Sequence, residues 1–203
     1  MAKYFYFFPT IMPRLFIAIK VKPGNDLLNS MMKIQQTLAS DSINWVKPYN
    51  MHITLKFLGD TRQESIPPII SKLKTCAAAI ESFGFTVKDF GYFGNLRFPR
   101  VLWMGVEQEK KNIENAYQLI QTEMDFLGYP AEKQEFRPHL TIGRIKNMHD
   151  TQKLRELEGE FSGVLLQQVW IDTFELYQSK LTPSGPVYSV VEKFNLNKPD
   201  TYE

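Results

Sequence analysis

The sequence predicts an α+β fold built from one duplicated unit. The pattern H-x-T-x occurs twice, beginning at His52 and at His139, in a chain of 203 residues that has only three histidines. The order strand, helix, loop, H-x-T-x strand, helix, strands also occurs twice, and Arg14 and Arg100 precede the first strand of each unit. The matched motifs and the matched order favour a duplication.

The first unit alternates short apolar runs with helical periodicity. Residues 14–21 are apolar and partly β-branched, as in a buried strand, and residues 25–39 repeat their apolar side chains near the helical period. An extended piece, a turn at Pro48 and a strand ending at Gly59 follow. Residues 64–82 predict a helix, and residues 83–94 a strand.

The second unit begins at the apolar run 101–107, which predicts a strand. A helix is expected over 110–127, an irregular stretch to Pro138, and a strand over 139–145. A short charged helix over 150–160 precedes strands within 165–180 and 187–196. The length and order of these segments suit one domain over residues 12–198.

Composition limits the class of protein. A hydrophobic fraction of 43% with 15 Phe allows a sizeable core, and a net charge of +2 permits an anionic ligand without predicting a broad nucleic-acid surface. The single Cys76 excludes an internal disulfide and suits a reducing compartment, so we expect the cytoplasm. No apolar run approaches a membrane span, which requires about 20 residues.

The two ends of the chain are expected to lie outside the domain. Residues 1–11 predict an extension of doubtful origin rather than a signal peptide, because Pro9 breaks the apolar run and no small-residue cleavage site follows. Residues 199–203 are polar and predict a frayed tail.

The two H-x-T-x motifs supply candidate catalytic residues. On a strand, residues i and i+2 share a face, so His52 projects with Thr54 and His139 with Thr141. If a pseudo-twofold axis relates the units, both pairs face one cleft. Two imidazoles there could act as acid and base at neutral pH, while the threonine hydroxyls donate to anionic oxygens. This set suits phosphoester chemistry.

Other residues have two interpretations each. Arg144 is either a phosphate clamp or a surface residue. Lys56, at position i+4 from His52, either lines the cleft or extends its charge to solvent. Tyr92 and Phe93 either stack on a base or pack between lobes.

A metal site is the weaker rival to acid–base chemistry. The histidines are far apart in sequence, His149 is expected in a loop, and no Cys, Asp or Glu cluster completes a ligand set.

At these motifs the chain resembles the two-histidine phosphoesterase superfamily, and within it the RNA 2',3'-cyclic phosphodiesterases, historically called 2'-5' RNA ligases. The resemblance runs from Met12 to about Leu196. It rests on "RLFIAI", "NMHITLKFLGD", "RVLWMGV", "FRPHLTIGR" and "LYQSKLTPSGPVYSVVEKFNL".

The resemblance implies a bilobal fold in which two antiparallel β-sheets, flanked by helices, surround a central cleft with pseudo-twofold symmetry. It implies hydrolysis of RNA 2',3'-cyclic phosphate ends to 2'-phosphomonoesters without a metal or other cofactor. By position, His52 is the proton donor and His139 the proton acceptor, with Thr54, Thr141 and Arg144 on the phosphate oxygens.

Several alternatives stay open. The same geometry run backwards would give 2'-5' ligation. The substrate is either an RNA end or a small cyclic nucleotide. Hydrolysis of 2'-5' oligonucleotides is a second enzymatic hypothesis, and a non-catalytic nucleotide- or RNA-binding module is a rival of another class. We expect no membrane partner and no obligate protein partner, with a monomer as the default.

Overall fold

The computed structural model describes residues 12–108, 110–183 and 185–198. The predicted extension 1–11 and the predicted tail 199–203 lie outside the described residues. The strands are β1 Arg14–Lys20, β2 Ser42–Trp45, β3 His52–Asp60, β4 Phe83–Asn95, β5 Phe98–Glu107, β6 His139–Asn147, β7 Leu165–Ile171, β8 Thr173–Thr182 and β9 Gly185–Asn195. The helices are α1 Asn25–Thr37, α2 Ile66–Ala79, α3 Asn112–Phe126 and α4 Gln152–Phe161.

These strands form two antiparallel sheets, which confirms the predicted α+β class. One sheet has the order β3-β1-β8-β9, and the other has the order β2-β6-β5-β4-β7. The pairs β3-β1 and β6-β5 occupy matching places, so each H-x-T-x strand lies beside the first strand of its unit. The two motifs therefore have equivalent positions in the two sheets.

The two sheets do not coincide with the two halves of the sequence. Strand β2, from the first half, pairs with β6. Strand β8, from the second half, pairs with β1, and β9 pairs with β8. The expected strand region 165–180 divides at Asp172, with β7 in the five-stranded sheet and β8 in the four-stranded sheet. Periodicity alone could not reveal this exchange, because both segments have the pattern of a strand.

The helices bury apolar stripes against this framework. In α1 the buried positions are Leu27, Met31 and Ile34, at the spacing of one helical face. Helix α2 begins with Pro67 and Pro68 in its first turn, where the missing N–H groups cost no hydrogen bond. Buried side chains from both sheets and all four helices join in one continuous core.

No helix in the described part of the chain is both long enough and apolar enough to cross a membrane.

Candidate active site

Each H-x-T-x motif ends in a β-bulge. Ala18 pairs with Thr54 but Ile17 pairs with Lys56, so Leu55 has no partner on β1. In β6, Thr141 and Gly143 pair with consecutive residues of β5, so Ile142 between them has no partner on that strand. A bulge inserts one residue and reverses the facing of everything after it. The residue five positions after each histidine, rather than four, therefore returns to the histidine's face.

The bulge decides where the candidate binding residues point. Arg144, five residues after His139, lines the cleft together with Thr141. Lys56, four residues after His52, turns into the core, where it is 1% exposed. The prediction that Lys56 lines the cleft is wrong, because strict alternation does not hold across a bulge.

The cleft between the sheets has a volume of about 880 Å³. Its walls include His52 and Thr54 from β3, and Thr141 and Arg144 from β6. His139 begins β6 two residues before Thr141 and is half-buried like it. The cleft walls thus bring together His52, both threonines and Arg144, and leave out Lys56. His139 is not among the lining residues, but it lies near enough for its charge to act on the pKa of His52.

Both imidazoles are held in the same tautomer. Nδ1 of His52 lies 2.6 Å from the carbonyl oxygen of Asn50, and Nδ1 of His139 lies 2.7 Å from that of Arg137. A carbonyl only accepts, so Nδ1 must carry the hydrogen in each ring. This leaves Nε2 of each imidazole as the nitrogen that can take or give a proton.

Aromatic rings fix the orientation of the two imidazoles. His52 contacts Phe16, at 5.2 Å between ring centroids, and Tyr188, at 5.4 Å and edge-on. His139 packs edge-on against Phe93 at 4.7 Å. Rings held on one or two sides lose little further freedom when a substrate binds.

The protein environment lowers the pKa of both histidines. Burial lowers the pKa of His52 to about 4, against the opposing effect of its bond to the Asn50 carbonyl; the charges of Lys20, Arg144 and His139 lower it further. This shift favours the neutral form of the His52 imidazole in the free protein.

His139 is shifted for the same reasons. Burial lowers its pKa, its bond to the Arg137 carbonyl opposes the shift, and the Arg144 charge adds to it. Both shifts therefore favour neutral imidazole rings in the free protein at pH 7.

The cleft carries a positive field. Arg14, Lys47, Arg144 and Lys146 line it, and among the described lining residues there is no Asp or Glu. Low-dielectric walls with charges of one sign concentrate the potential inside a cleft. The arrangement favours an anionic ligand.

Tyr92 and Phe93 do not line the cleft. Tyr92 packs against the core, and Phe93 contacts His139 and Trp103. Neither ring belongs to the cleft walls. The interpretation of these residues as packing groups fits their contacts, with Phe93 supporting a candidate catalytic ring.

Sequence reasoning missed several lining residues. Phe57 is 59% exposed in the cleft and occupies the same i+5 position after His52 that Arg144 occupies after His139. That matched spacing was a usable signal. Tyr188, from the distant strand β9, also lines the cleft, and no local sequence motif predicts this position.

His149 lies away from the cleft, where its backbone N–H donates to Asp41 at 2.7 Å. Among residues 12–108, 110–183 and 185–198, no group of three or more His, Cys, Asp or Glu side chains is placed to hold a metal ion. Metal independence stays a prediction.

Both halves of the chain match one known protein family. The sequence model of the LigT-like phosphoesterase family matches residues 19–103 and again residues 105–188. Each match contains one H-x-T-x motif. The chain belongs to this family. The two successive matches meet near the point at which the order of elements restarts.

Curated relatives are similar to this LigT-like phosphoesterase along most of their length. A Thermotoga maritima protein named RNA 2',3'-cyclic phosphodiesterase is 37% identical over 184 residues, covering 88% of this chain and 92% of the relative. A protein of the same name from Methanothermobacter thermautotrophicus is 33% identical, covering 90% and 98%.

Solved structures share the fold. TT0787 of Thermus thermophilus superposes with a TM-score of 0.74 at 26% identity, covering 91% of this chain and 98% of that one. Escherichia coli LigT complexed with 3'-AMP gives a TM-score of 0.68 at 20% identity, covering 92% and 99%.

Proposed function

We propose that this LigT-like phosphoesterase hydrolyses RNA 2',3'-cyclic phosphate ends to 2'-phosphomonoesters. The observation that carries the proposal is the equivalent position of the two His–Thr pairs on β3 and β6. His52, both threonines and Arg144 line one cationic cleft, and His139 lies two residues before Thr141. The relatives named RNA 2',3'-cyclic phosphodiesterase support the reaction. E. coli LigT complexed with 3'-AMP supports a nucleotide ligand.

The reaction needs one base and one acid in line with phosphorus. Nε2 of His139 accepts a proton from water, the water oxygen forms a bond to phosphorus, and the bond to the ribose 3'-oxygen breaks. Nε2 of His52 donates its proton to that oxygen. The product is a 2'-phosphomonoester, and proton exchange with solvent restores both rings.

Charge on phosphorus is stabilised by three side chains. The hydroxyls of Thr54 and Thr141 donate to the non-bridging oxygens, and Arg144 adds a guanidinium. The substrate is itself an anion, so its binding raises the pKa of His52 and favours the protonated acid that the step requires. Substrate binding thereby opposes the effect of burial on this ring.

No metal ion has a role in this scheme. The same steps in reverse, with a 5'-hydroxyl in place of water, would join two RNA ends through a 2'-5' linkage. We place the enzyme in the cytoplasm as a monomer. The compartment is supported by its lone, free Cys76.

The decisive experiment follows a short RNA with a 2',3'-cyclic phosphate by phosphorus NMR, with EDTA present. We expect a 2'-monophosphate from the wild type, and rates about 10²–10⁴-fold lower for His52→Ala and for His139→Ala. His149→Ala is the matched control, since His149 lies outside the cleft, and should retain activity.

Other outcomes separate the alternatives. Unchanged RNA would remove RNA-end hydrolysis, and activity lost only with EDTA would contradict metal independence. A non-catalytic binding module would show no turnover and would lose only affinity in His52→Ala. Cleavage restricted to 2'-5'-linked oligonucleotides would favour the second enzymatic hypothesis.

A further inference from the structure

A second cavity, of about 320 Å³, adjoins the active site at His52. Asn50 and Tyr188 line both this cavity and the main cleft. The carbonyl of Asn50 accepts the hydrogen bond from Nδ1 of His52, and the ring of Tyr188 packs edge-on against the imidazole. The two cavities therefore meet at the group that protonates the leaving oxygen in the proposed reaction.

The second cavity combines a cation with a carboxylate. Lys20 pairs with His52 in the β1–β3 register, and its ammonium donates to the carbonyl of Tyr49. Glu175 is 9% exposed and accepts a hydrogen bond from the hydroxyl of Tyr177. Neither Lys20 nor Glu175 has a part in the chemical steps described above.

The remaining lining includes exposed aromatic and aliphatic side chains. Tyr49 is 64% exposed, Val187 54% and Val190 52%, although all three border the cavity. Exposed aromatic and aliphatic faces are surfaces on which a nucleobase stacks. The volume falls at the lower end of the range for ligand pockets, about 300–1,000 Å³.

We propose that this cavity is a subsite for the penultimate nucleotide of the RNA, with Lys20 at its phosphodiester and the tyrosine and valine faces at its base. The inference rests on the proposed function, since His52 is taken to protonate the 3'-oxygen of the terminal ribose. The RNA strand continues from C5' of that same ribose, only a few bonds away. The next phosphate is therefore only a few bonds from the oxygen that His52 protonates, and Lys20, which pairs with His52 across β1 and β3, lines the adjoining cavity.

Glu175 gives this subsite a preference among bases. A carboxylate only accepts hydrogen bonds, and adenine, cytosine and guanine carry exocyclic amino donors that uracil lacks. The enzyme is accordingly selective for oligonucleotide ends over cyclic mononucleotides. Within oligonucleotides it favours a penultimate base with an amino group.

Three substrates resolve the parts of the subsite. They are a 2',3'-cyclic mononucleotide, the same nucleotide with a 5'-phosphate, and a dinucleotide ending in the cyclic phosphate. A charge-assisted hydrogen bond and a stacked base each contribute about 1–3 kcal/mol. We expect kcat/KM to rise about tenfold at each of the two additions.

Two variants test the assignment to particular residues. Lys20→Met should remove the increase in kcat/KM that the 5'-phosphate gives. Lys22→Met replaces an exposed lysine outside the cavity and should retain that increase. Val190→Trp fills the cavity from an exposed position and should bring the dinucleotide-to-5'-phosphate ratio of kcat/KM close to one.

Equal kcat/KM for all three substrates in the wild type would overturn the subsite. An unchanged ratio in Val190→Trp would do the same, since the dinucleotide would then bind elsewhere. Failure of the proposed function looks different. In that case the wild type would turn over none of the three substrates, the mononucleotide included.

Discussion

The ammonium of Lys56 donates a hydrogen bond to Oε1 of Gln121 at 2.6 Å, inside the protein. It donates a second to the carbonyl of Pro130 at 2.5 Å, and the amide of Gln121 in turn donates to the carbonyl of Leu55, the bulged residue. Lys56 thus ties β3, which carries His52, to α3 and to the segment that leads to His139. Burial lowers the pKa of this ammonium, and the carboxylates of Glu132 and Asp125 oppose the shift.

Removal of this lysine should destabilise the fold. Lys56→Met keeps the length of the side chain but leaves the buried acceptors at Gln121 and Pro130 without their donor, at a cost of about 2–4 kcal/mol. Urea denaturation measures the free energy of unfolding. Lys74→Met, on an exposed face of α2, is the control and should change it by less than about 0.5 kcal/mol. Equal stability of the two variants would show that Lys56 is not a structural link.

Lys56 also shows how far the sequence could predict the site. The H-x-T-x pairs, their facing and the duplicated order all follow from residue type and period. The bulges after Thr54 and Thr141 do not, because a bulge depends on pairing with a neighbouring strand. Alternation therefore placed Lys56 in the cleft, and gave Phe57 no role.

The sequence also could not predict which sheet each strand joins. The sequence predicts strands at both β7 and β8, but the choice of sheet depends on which edge each one meets. Tyr188 reaches the cleft only because β9 pairs with β8, next to β1. Local patterns carry no information on such long-range partners.

Gly143 lies at a position where neighbouring side chains leave little room for a Cβ atom, which only the structure reveals. It occupies the position of Lys56 in the second motif, and an added Cβ would lie 2.9 Å from Cγ2 of Ile43 and 3.0 Å from Cε3 of Trp45. The missing side chain lets these two residues pack closely on β6, and Trp45 lines the cleft. The same motif position thus serves different packing needs in the two sheets.

Phe57 should bind the base of the terminal nucleotide. Its ring is exposed in a cleft that otherwise favours anions, and stacking of a base on an aromatic ring contributes about 1–3 kcal/mol. We expect Phe57→Ala to raise KM about tenfold for an RNA end, with a smaller change in kcat. Phe98→Ala is the matched control, because Phe98 is 60% exposed outside the cleft. A KM unchanged in Phe57→Ala would exclude stacking on this ring.

Arg144 should act on the transition state rather than on affinity alone. Its guanidinium forms a fork that matches two phosphate oxygens, which an ammonium cannot reproduce. We expect Arg144→Ala to lower kcat/KM about 10²–10³-fold, and Arg144→Lys to recover only part of the loss. Steady-state kinetics on the cyclic RNA end measure both. Arg155→Ala, on the exposed face of α4, should behave as wild type, and full recovery in Arg144→Lys would indicate a simple charge effect.

The pH dependence follows from the two lowered pKa values. The productive free enzyme carries one proton on the histidine pair, so kcat/KM falls about tenfold per pH unit above the higher of the two pKa values. Both lie below the ordinary value of 6.5, and that of His52 is about 4. We therefore expect kcat/KM to decline steadily from pH 6.5 to 8.

The profile of kcat should lie at higher pH than that of kcat/KM, because the bound phosphate raises the pKa of His52 in the complex. Proton NMR of the imidazole rings, with and without inorganic phosphate, measures the same shift directly. His149→Ala assigns the third resonance. A kcat/KM that stays constant across that neutral range would contradict the lowered values.

Stability should respond to pH in the corresponding sense. The pKa of His52 is about 4 in the folded protein and near 6.5 in the unfolded chain, so the unfolded chain binds more protons between these values. The free energy of unfolding contributed by the neutral ring is present above pH 6.5 and is lost as the pH falls towards 4. Thermal unfolding of the wild type and of His52→Gln across this range measures it. The stability of the wild type relative to His52→Gln should decrease as the pH falls, since glutamine does not titrate. A stability difference that stays constant with pH would place the pKa of His52 near its ordinary value.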